Sequence, residues 1–363
     1  MDNASPIGRL DLPPMPPLDV GVVTAFDDAQ AALAEALCSA DELSGRAFHF
    51  VQRRILAEAV AAIEPTMPEH DPPLMPTRRR HLSRSQQRRL EGCAAAIRHL
   101  DSRTAMKQLG ALEQVIAVET PMVLHTFIEA GNPHGRETNA GTIRATPIGF
   151  EADRNGFIPP PAANCRRLLL DAVTMANNAP APPITRAAWL LSAFFAIHPF
   201  VDGNGRTGRL LFHAVVSEYS PCGIDWGTLP VLTAHRSTYI EAARHAMAPS
   251  VPHYDARLLA PIHLMAHVAE AAITGADQAR ARLAVLVDIL DQLRATDLND
   301  DQALLVLAVA ADRNSCLGDF DQLLNDQATV TTMVDELVGA GWLRWDRAEN
   351  LQIVGPNPFR ART

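Results

Sequence analysis

Hydrophobic positions recur at helical spacing along most of this chain. Between Phe26 and Ala62 the recurrence predicts two helices, broken near Ser44-Gly45. The same pattern predicts further helices over about 86–100, 104–130, 163–177, 184–197, 206–219, 230–248 and 258–275. A chain with this pattern is expected to be mostly α-helical.

Two stretches are typical of β-structure. Weak alternation over 142–149, followed by the turn sequence Asp153-Arg154-Asn155-Gly156, predicts a small β-hairpin. Near the C-terminus, helices predicted over 277–295, 300–311, 320–324 and 328–340 precede two short strand segments at 342–345 and 351–354. The order of helices followed by paired strands is that of a winged helix.

This pattern predicts four regions. They are a flexible proline-rich arm (1–20), an N-terminal helical region (21–114), a helical core with the small hairpin (115–275) and a winged-helix domain (276–363). A length of 363 residues supports more than one domain.

Composition narrows the classes of protein that are plausible. The formal net charge of -9 argues against a protein that coats nucleic acid with its whole surface. The five cysteines are scattered singly, which indicates neither a zinc site nor a disulfide framework. No apolar run is long enough to span a membrane, and no secretory signal precedes the first helix. We therefore expect a cytoplasmic protein that does not enter a membrane.

Residues 198–209 combine groups suited to phosphate chemistry. His198 can accept a proton near neutral pH, and Asp202 offers the hard oxygen ligands that Mg²⁺ prefers. Gly203 and Gly205 allow the backbone N–H groups to approach an anion closely.

Two arginines complete this loop. Arg206 and Arg209 are three residues apart on the helix that follows, so they are expected on one face, where both can grip phosphate oxygens. A base, a cation ligand and a phosphate cradle together favour phosphoryl chemistry. The glycine spacing is neither that of a Walker loop nor that of a dinucleotide-binding loop.

The segment His198-Pro-Phe-Val-Asp-Gly-Asn-Gly-Arg-Thr-Gly-Arg209 resembles the signature of the Fic family, HxFx(D/E)GNGRxxR, at every specified position. The resemblance implies that His198 deprotonates a target hydroxyl, that Asp202 holds Mg²⁺, and that Phe200 anchors the loop in the core. The implied nucleotide-binding residues are Gly203, Asn204, Gly205, Arg206, Gly208 and Arg209, with both arginines on the β and γ phosphates of ATP.

The resemblance extends over roughly residues 115–250. It implies a flap that positions the target protein; its matched residues are Thr142, Ile143, Arg144, Ile148 and Gly149, with 157–161 beyond them. Arg236 and Tyr239 match a further family pattern. Because Gly205 stands where kinases of the Doc type have Lys, AMP transfer from ATP is favoured over transfer of the γ phosphate.

The resemblance also implies regulation by an inhibitory glutamate. The chain has no clean copy of that motif. Glu64 lies in a degenerate copy, with Pro65 in place of its glycine, and is either an ordinary helix-surface carboxylate or the residue that restrains Arg209. Gln87-Arg-Arg-Leu-Glu91-Gly92 is a second degenerate copy.

The expected function is therefore that of a protein adenylyltransferase. Its partners are ATP, Mg²⁺ and a target protein with a Ser, Thr or Tyr hydroxyl, which includes the enzyme itself. One alternative keeps the loop but changes the cargo to UMP or phosphocholine, or removes AMP. Another is a DNA-binding or docking regulator that acts through the winged helix. The helix predicted over 328–340 carries Asp335 and Glu336 but no Lys or Arg, which favours protein docking or a homodimer contact over DNA.

Overall fold

The computed structural model of this chain describes residues 12, 15–62, 84–130, 139–148, 159–220, 227–246, 254–311, 320–324, 327–345 and 351–353. Within these ranges the fold is mostly α-helical. The helices are α1 (Val20–Ser39), α2 (Glu42–Ala62), α3 (Arg84–Gln108), α4 (Thr120–Ala130), α5 (Ala162–Asn178), α6 (Pro183–Ile197), α7 (Asn204–Tyr219), α8 (Thr228–Ala234), α9 (Arg236–Ala246), α10 (Tyr254–Leu293), α11 (Asp300–Ala311), α12 (Asp321–Leu324) and α13 (Gln327–Gly339). The strands are β1 (Leu343–Trp345) and β2 (Leu351–Ile353).

Helix α6 is the central helix of the core. From Ile184 to Ile197 every residue except Ala196 is buried. A helix that is apolar on all sides must be covered on all sides, and α6 packs against α5, α7, α9 and α10. His198 follows its C-terminal end, so a helix buried on all sides supports the predicted active-site loop.

Helix α10 contributes to two hydrophobic clusters. Its first part, through Leu264 and Ala272, belongs to the cluster around α6. Its second part, from Ala276 to Leu293, packs with α11, α13 and the strands. The predicted boundary between residues 275 and 276 falls inside this continuous helix, and the division into domains stays a prediction.

Glycine lets two backbones touch where α10 crosses the start of α8. A Cβ added to Gly227 would lie 2.0 Å from the backbone of Gly275, and one added to Gly275 would lie 2.2 Å from that of Gly227. The prediction that one helix ends at Gly275 and another begins at Asp277 is therefore wrong, because this glycine serves the crossing rather than a helix end.

Three other helix boundaries differ from those predicted. The first break falls at Ala40-Asp41, since the Asp41 carboxylate accepts from the Leu43 N–H at 2.9 Å and caps α2. Helix α3 continues through the break predicted between residues 100 and 104 and ends before Gly110, which has φ +75°. Only 120–130 of the predicted helix over 104–130 forms a separate helix, α4. The predicted helix over 230–248 is broken at His235, between α8 and α9.

The two predicted β regions have different outcomes. Strands β1 and β2 pair antiparallel, with Arg344 opposite Gln352, where the sequence predicts a strand pair. The assignment of this region to a winged helix stays a prediction. No strand is assigned over 142–148, so that part of the predicted hairpin is wrong; residues 149–158 lie outside the described ranges. The Arg144 N–H donates to the Pro199 carbonyl instead of to a neighbouring strand.

In the part of the chain that the structure describes, no helix is long and apolar enough to cross a membrane.

Candidate active site

The loop from His198 to Gly203 joins α6 to α7, as the sequence predicts. It begins and ends with residues in the left-handed conformation, His198 at φ +49° and Gly203 at φ +75°. For a residue with a side chain this conformation is strained and uncommon, and such strain often marks a functional position. The His198 N–H still donates to the Phe194 carbonyl at 3.0 Å, which closes the last turn of α6.

The Asn204 side chain holds the loop in shape. Its Oδ1 accepts from the Phe200 N–H at 2.9 Å, and its Nδ2 donates to the Phe200 carbonyl at 2.8 Å. Both residues are buried. The side-chain amide of Asn204 is thus engaged within the loop, while its backbone N–H lies in the first turn of α7. The first N–H groups of a helix have no partner within the helix and form a site for an anion.

His198 is suited to act as a base. Burial and, after it, the nearby Arg144 guanidinium lower the pKa of its imidazole to about 4, although the Phe195 carbonyl and Asp202 oppose this shift. The imidazole is therefore neutral at physiological pH and able to accept a proton.

Arg144 fastens the flap segment to this loop. Its buried guanidinium donates to three carbonyl oxygens, those of His198 (2.8 Å), Thr146 (3.3 Å) and Pro160 (2.5 Å). The Arg144 side chain thus links the flap residues 142–148 and Pro160 to the backbone of His198. Of the other predicted flap residues, Thr142 is exposed and Ile143 packs against the core. Ile148 is partly buried, and Gly149 lies outside the described ranges.

Asp202 is the candidate cation ligand. Its side chain is 51% exposed and lies 3.6 Å from the Arg206 guanidinium, while Oδ1 accepts from the Gly203 N–H at 2.6 Å. Among the described residues, no group of three or more His, Cys, Asp or Glu side chains forms a complete metal site. Mg²⁺ commonly takes one or two carboxylates and completes its shell with water and phosphate oxygens. A single accessible carboxylate beside a helix N-terminus therefore fits a cation that arrives with a triphosphate.

The two arginines of the loop point to different neighbours. Arg206 is fully buried and pairs with Glu129 of α4 at 3.0 Å. Arg209 is also buried and donates to the Val60 carbonyl of α2 at 2.8 Å. Both guanidinium groups are thus held by protein partners, whereas the sequence predicts that both grip phosphate from one face.

The three glycines of the loop have different surroundings. A Cβ at Gly203 would lie 3.0 Å from Glu129 Oε1, and one at Gly205 would lie 3.2 Å from a guanidinium nitrogen of Arg209. A Cβ at Gly208 would lie 2.9 Å from the Phe195 ring of α6. Gly208 therefore permits close packing of α6 on α7, and its predicted contact with nucleotide finds no support in this placement.

The other residues that match family patterns differ in their burial and in their neighbours. Phe200 is fully buried in the core, as the anchoring role requires. Tyr239 of α9 is buried beside Arg209; burial raises the pKa of its phenol, and the guanidinium partly offsets the rise. Arg236 is the first residue of α9 and is partly buried. Glu64 lies outside the described residues.

Two site residues on α4 escaped the sequence analysis. His125 hydrogen-bonds to the loop and to the flap, and Glu129 holds Arg206. A signal was present, because a His and a Glu four residues apart fall on one face of an otherwise apolar helix.

Known proteins resemble this chain in sequence and in fold. Residues 112–216 match the Fic/DOC family. A Fido domain-containing protein of Dictyostelium discoideum is 46% identical over 65 residues, which are 18% of this chain and 41% of that protein. A probable protein adenylyltransferase of Aquifex aeolicus is 34% identical over 91 residues, which are 25% of this chain and 26% of that protein. The chain thus matches less than half the length of either relative.

Solved structures share the overall fold. A Fic family protein from Desulfovibrio desulfuricans G20 superposes with a TM-score of 0.52 at 16% identity, over 95% of this chain and 99% of that one. A Fic domain containing signaling protein from Bacteroides thetaiotaomicron VPI-5482 superposes with a TM-score of 0.51 at 14% identity, over 70% of this chain and 98% of that one. The Fic/DOC family match over residues 112–216 contains the loop between α6 and α7.

Proposed function

We propose that this protein is an adenylyltransferase that moves AMP from ATP to a hydroxyl group of a target protein and of itself. The observation that carries the proposal is the placement of His198, which ends α6 in the left-handed conformation at the start of the motif loop, where burial keeps the pKa of its imidazole low. A neutral imidazole can accept the proton of an attacking hydroxyl. The relative from Aquifex aeolicus, named a probable protein adenylyltransferase, supports the same activity.

In the proposed reaction His198 takes the proton as the target oxygen attacks the α-phosphorus of ATP. A bond forms between that oxygen and the phosphorus. The bond from the phosphorus to the oxygen bridging the β-phosphate breaks, and pyrophosphate leaves. His198 then releases its proton to solvent. The Fic family resemblance assigns these roles, and the strained position of His198 at the end of α6 is consistent with a base fixed in place.

Charge on the triphosphate is met by the N-terminus of α7 and by Arg209. The Arg209 guanidinium lies close to Gly205 of the first turn of α7. Arg206, in the first turn of α7, pairs with Glu129 at 3.0 Å and lies 3.6 Å from Asp202, so these carboxylates largely balance its charge. Asp202 would hold Mg²⁺, which when bound would neutralise charge that builds on the leaving pyrophosphate.

ATP labelled on either the α or the γ phosphate tests this proposal in a cell lysate. We expect α label, and no γ label, to enter protein, and we expect His198→Ala to abolish the transfer. His263→Ala is the matched control, because His263 is an exposed histidine on α10 and is not part of the motif. Transfer of the γ label alone would mean kinase chemistry and would overturn the proposal.

The alternative cargoes are separated by intact-mass measurement. Incubation with UTP or with CDP-choline would add UMP or phosphocholine, and incubation of an AMP-modified target would reveal removal. A mass gain with ATP and none with the other donors is the expected result.

We also propose that Glu64 restrains Arg209. Arg209 donates to the carbonyl of Val60, near the end of α2, and Glu64 follows four residues later in the sequence. The end of α2 therefore supports an inhibitory role for the segment that comes next.

For the C-terminal region we propose a winged helix that docks protein rather than DNA. Asp335 and Glu336 are exposed on α13, the helix that would enter a DNA groove, and carboxylates there would repel phosphate. A mobility shift with DNA that survives His198→Ala, together with no label on any lysate protein, would favour the DNA-binding alternative.

A further inference from the structure

His125 of α4 lies outside the motif loop but touches it. The side chain is fully buried, and both of its ring nitrogens have hydrogen-bond partners in other segments. Nδ1 accepts from the Gly141 N–H at 2.8 Å, where the flap segment begins. Nε2 lies 3.0 Å from the carbonyl oxygen of Asp202 in the loop.

These two partners define one form of the ring. A backbone N–H can only donate, so Nδ1 carries no hydrogen, and a carbonyl can only accept, so Nε2 must carry one. His125 is therefore the neutral imidazole with its hydrogen on Nε2. No other protonation state satisfies both contacts.

Aromatic packing fixes the ring plane. His125 stacks on Phe200 with ring centroids 3.9 Å apart and an interplanar angle of 7°. A Cβ at Gly203 would lie 3.0 Å from His125 Cδ2, so glycine is needed for the loop to come this close. The ring thus lies between Gly141, just before the flap residues, and the backbone of Asp202, the candidate cation ligand.

We propose that His125 is a positioning residue that couples the flap to the cation-binding loop. The bond to the Asp202 carbonyl sets the backbone from which that carboxylate projects. The bond to the Gly141 N–H sets the start of 142–144, which Arg144 then joins to Pro199 and His198. One side chain therefore aligns two partners of the reaction, the target segment and the cation. This inference rests on the proposed function only for its kinetic consequences.

Three substitutions of His125 test its two hydrogen bonds separately. Asn places an amide group near the Nδ1 position and Gln places one near the Nε2 position, so His125→Asn can retain the bond to Gly141 and His125→Gln the bond to Asp202. His125→Phe retains the stack on Phe200 and loses both bonds. Loss of one hydrogen bond is expected to change the parameter that depends on it by roughly three- to tenfold.

The expected result is a split between two measured constants. His125→Asn raises the Mg²⁺ concentration for half-maximal transfer and leaves KM for the target protein near that of the native chain. His125→Gln raises this KM and leaves the Mg²⁺ dependence unchanged, and His125→Phe raises both. Equal changes in both constants for all three variants would mean a merely structural role and would overturn the proposal.

A second measurement does not depend on catalysis. The ring nitrogens of His125 in ¹⁵N-labelled protein should show a single neutral tautomer with hydrogen on Nε2, whereas exposed His263 should show averaged signals. A signal for hydrogen on Nδ1 of His125, or an averaged signal, would overturn the proposal. If transfer activity is absent but this tautomer is present, the proposed function fails while the assigned bonding stands.

Discussion

Replacement of Glu129 by Gln tests the buried ion pair that holds the loop. Glu129 and Arg206 are both fully buried and lie 3.0 Å apart, so Gln keeps the shape but removes the charge that Arg206 faces. Breaking a buried pair by removing one partner costs about 3–5 kcal/mol. The Asp202 carboxylate, at 3.6 Å, is 51% exposed and compensates weakly. We therefore expect Glu129→Gln to lower the free energy of unfolding by about 3 kcal/mol, near the lower end of this range.

Urea unfolding monitored by circular dichroism measures this loss as a change in the free energy of unfolding. Asp171→Asn is the matched control, because Asp171 pairs with Arg167 at 2.9 Å but both side chains are more than 40% exposed. The control should change the free energy by less than about 0.5 kcal/mol. If Glu129→Gln changes it by no more than the control does, the assignment of the pair as a main support of the loop is wrong.

Four further predictions concern His198, Gly275 and Glu64. The acid limb of kcat/KM should fall through a pKa of about 4, because His198 is protonated in the folded enzyme only near that pH; a limb at the ordinary value of 6.5 would contradict the burial. Since its pKa is lowered on folding, His198 should also reduce the free energy of unfolding as the pH falls from 6.5 to about 4. Gly275→Ala should destabilise by about 1–3 kcal/mol or more in thermal unfolding through its contact with Gly227, whereas Gly45→Ala, in open space within α2, should stabilise by about 0.5–1 kcal/mol. Glu64→Gly should increase self-modification with labelled ATP, and unchanged self-modification would remove the inhibitory role.

The motif loop and most helices could be predicted because their signals are local. His198, Asp202 and the glycines all lie within residues 198–208. Helices α6 and α7 begin and end within two residues of the predicted positions. Helix α11 matches its predicted range of 300–311. Periodicity and glycine placement act within a few residues of the chain, so a single sequence carries them.

The rest depends on contacts between distant segments. Gly275 resembles a helix end in the sequence, but its role is set by Gly227, the residue before α8. The roles of His125 and Glu129 become visible only when α4 packs against α7. Likewise, the sequence places Arg206 and Arg209 on one face, but α4 and α2 hold their guanidinium groups separately.

The central claim is that the triphosphate of ATP binds beside His198, Asp202 and the N-terminus of α7. A crystal structure of the protein with Mg²⁺ and a non-hydrolysable ATP analogue tests it most directly. We predict phosphate oxygens within hydrogen-bonding distance of the Gly205 N–H, with the cation on the Asp202 carboxylate and His198 facing the α-phosphate. A nucleotide bound elsewhere, with His198 turned away from it, would contradict the account.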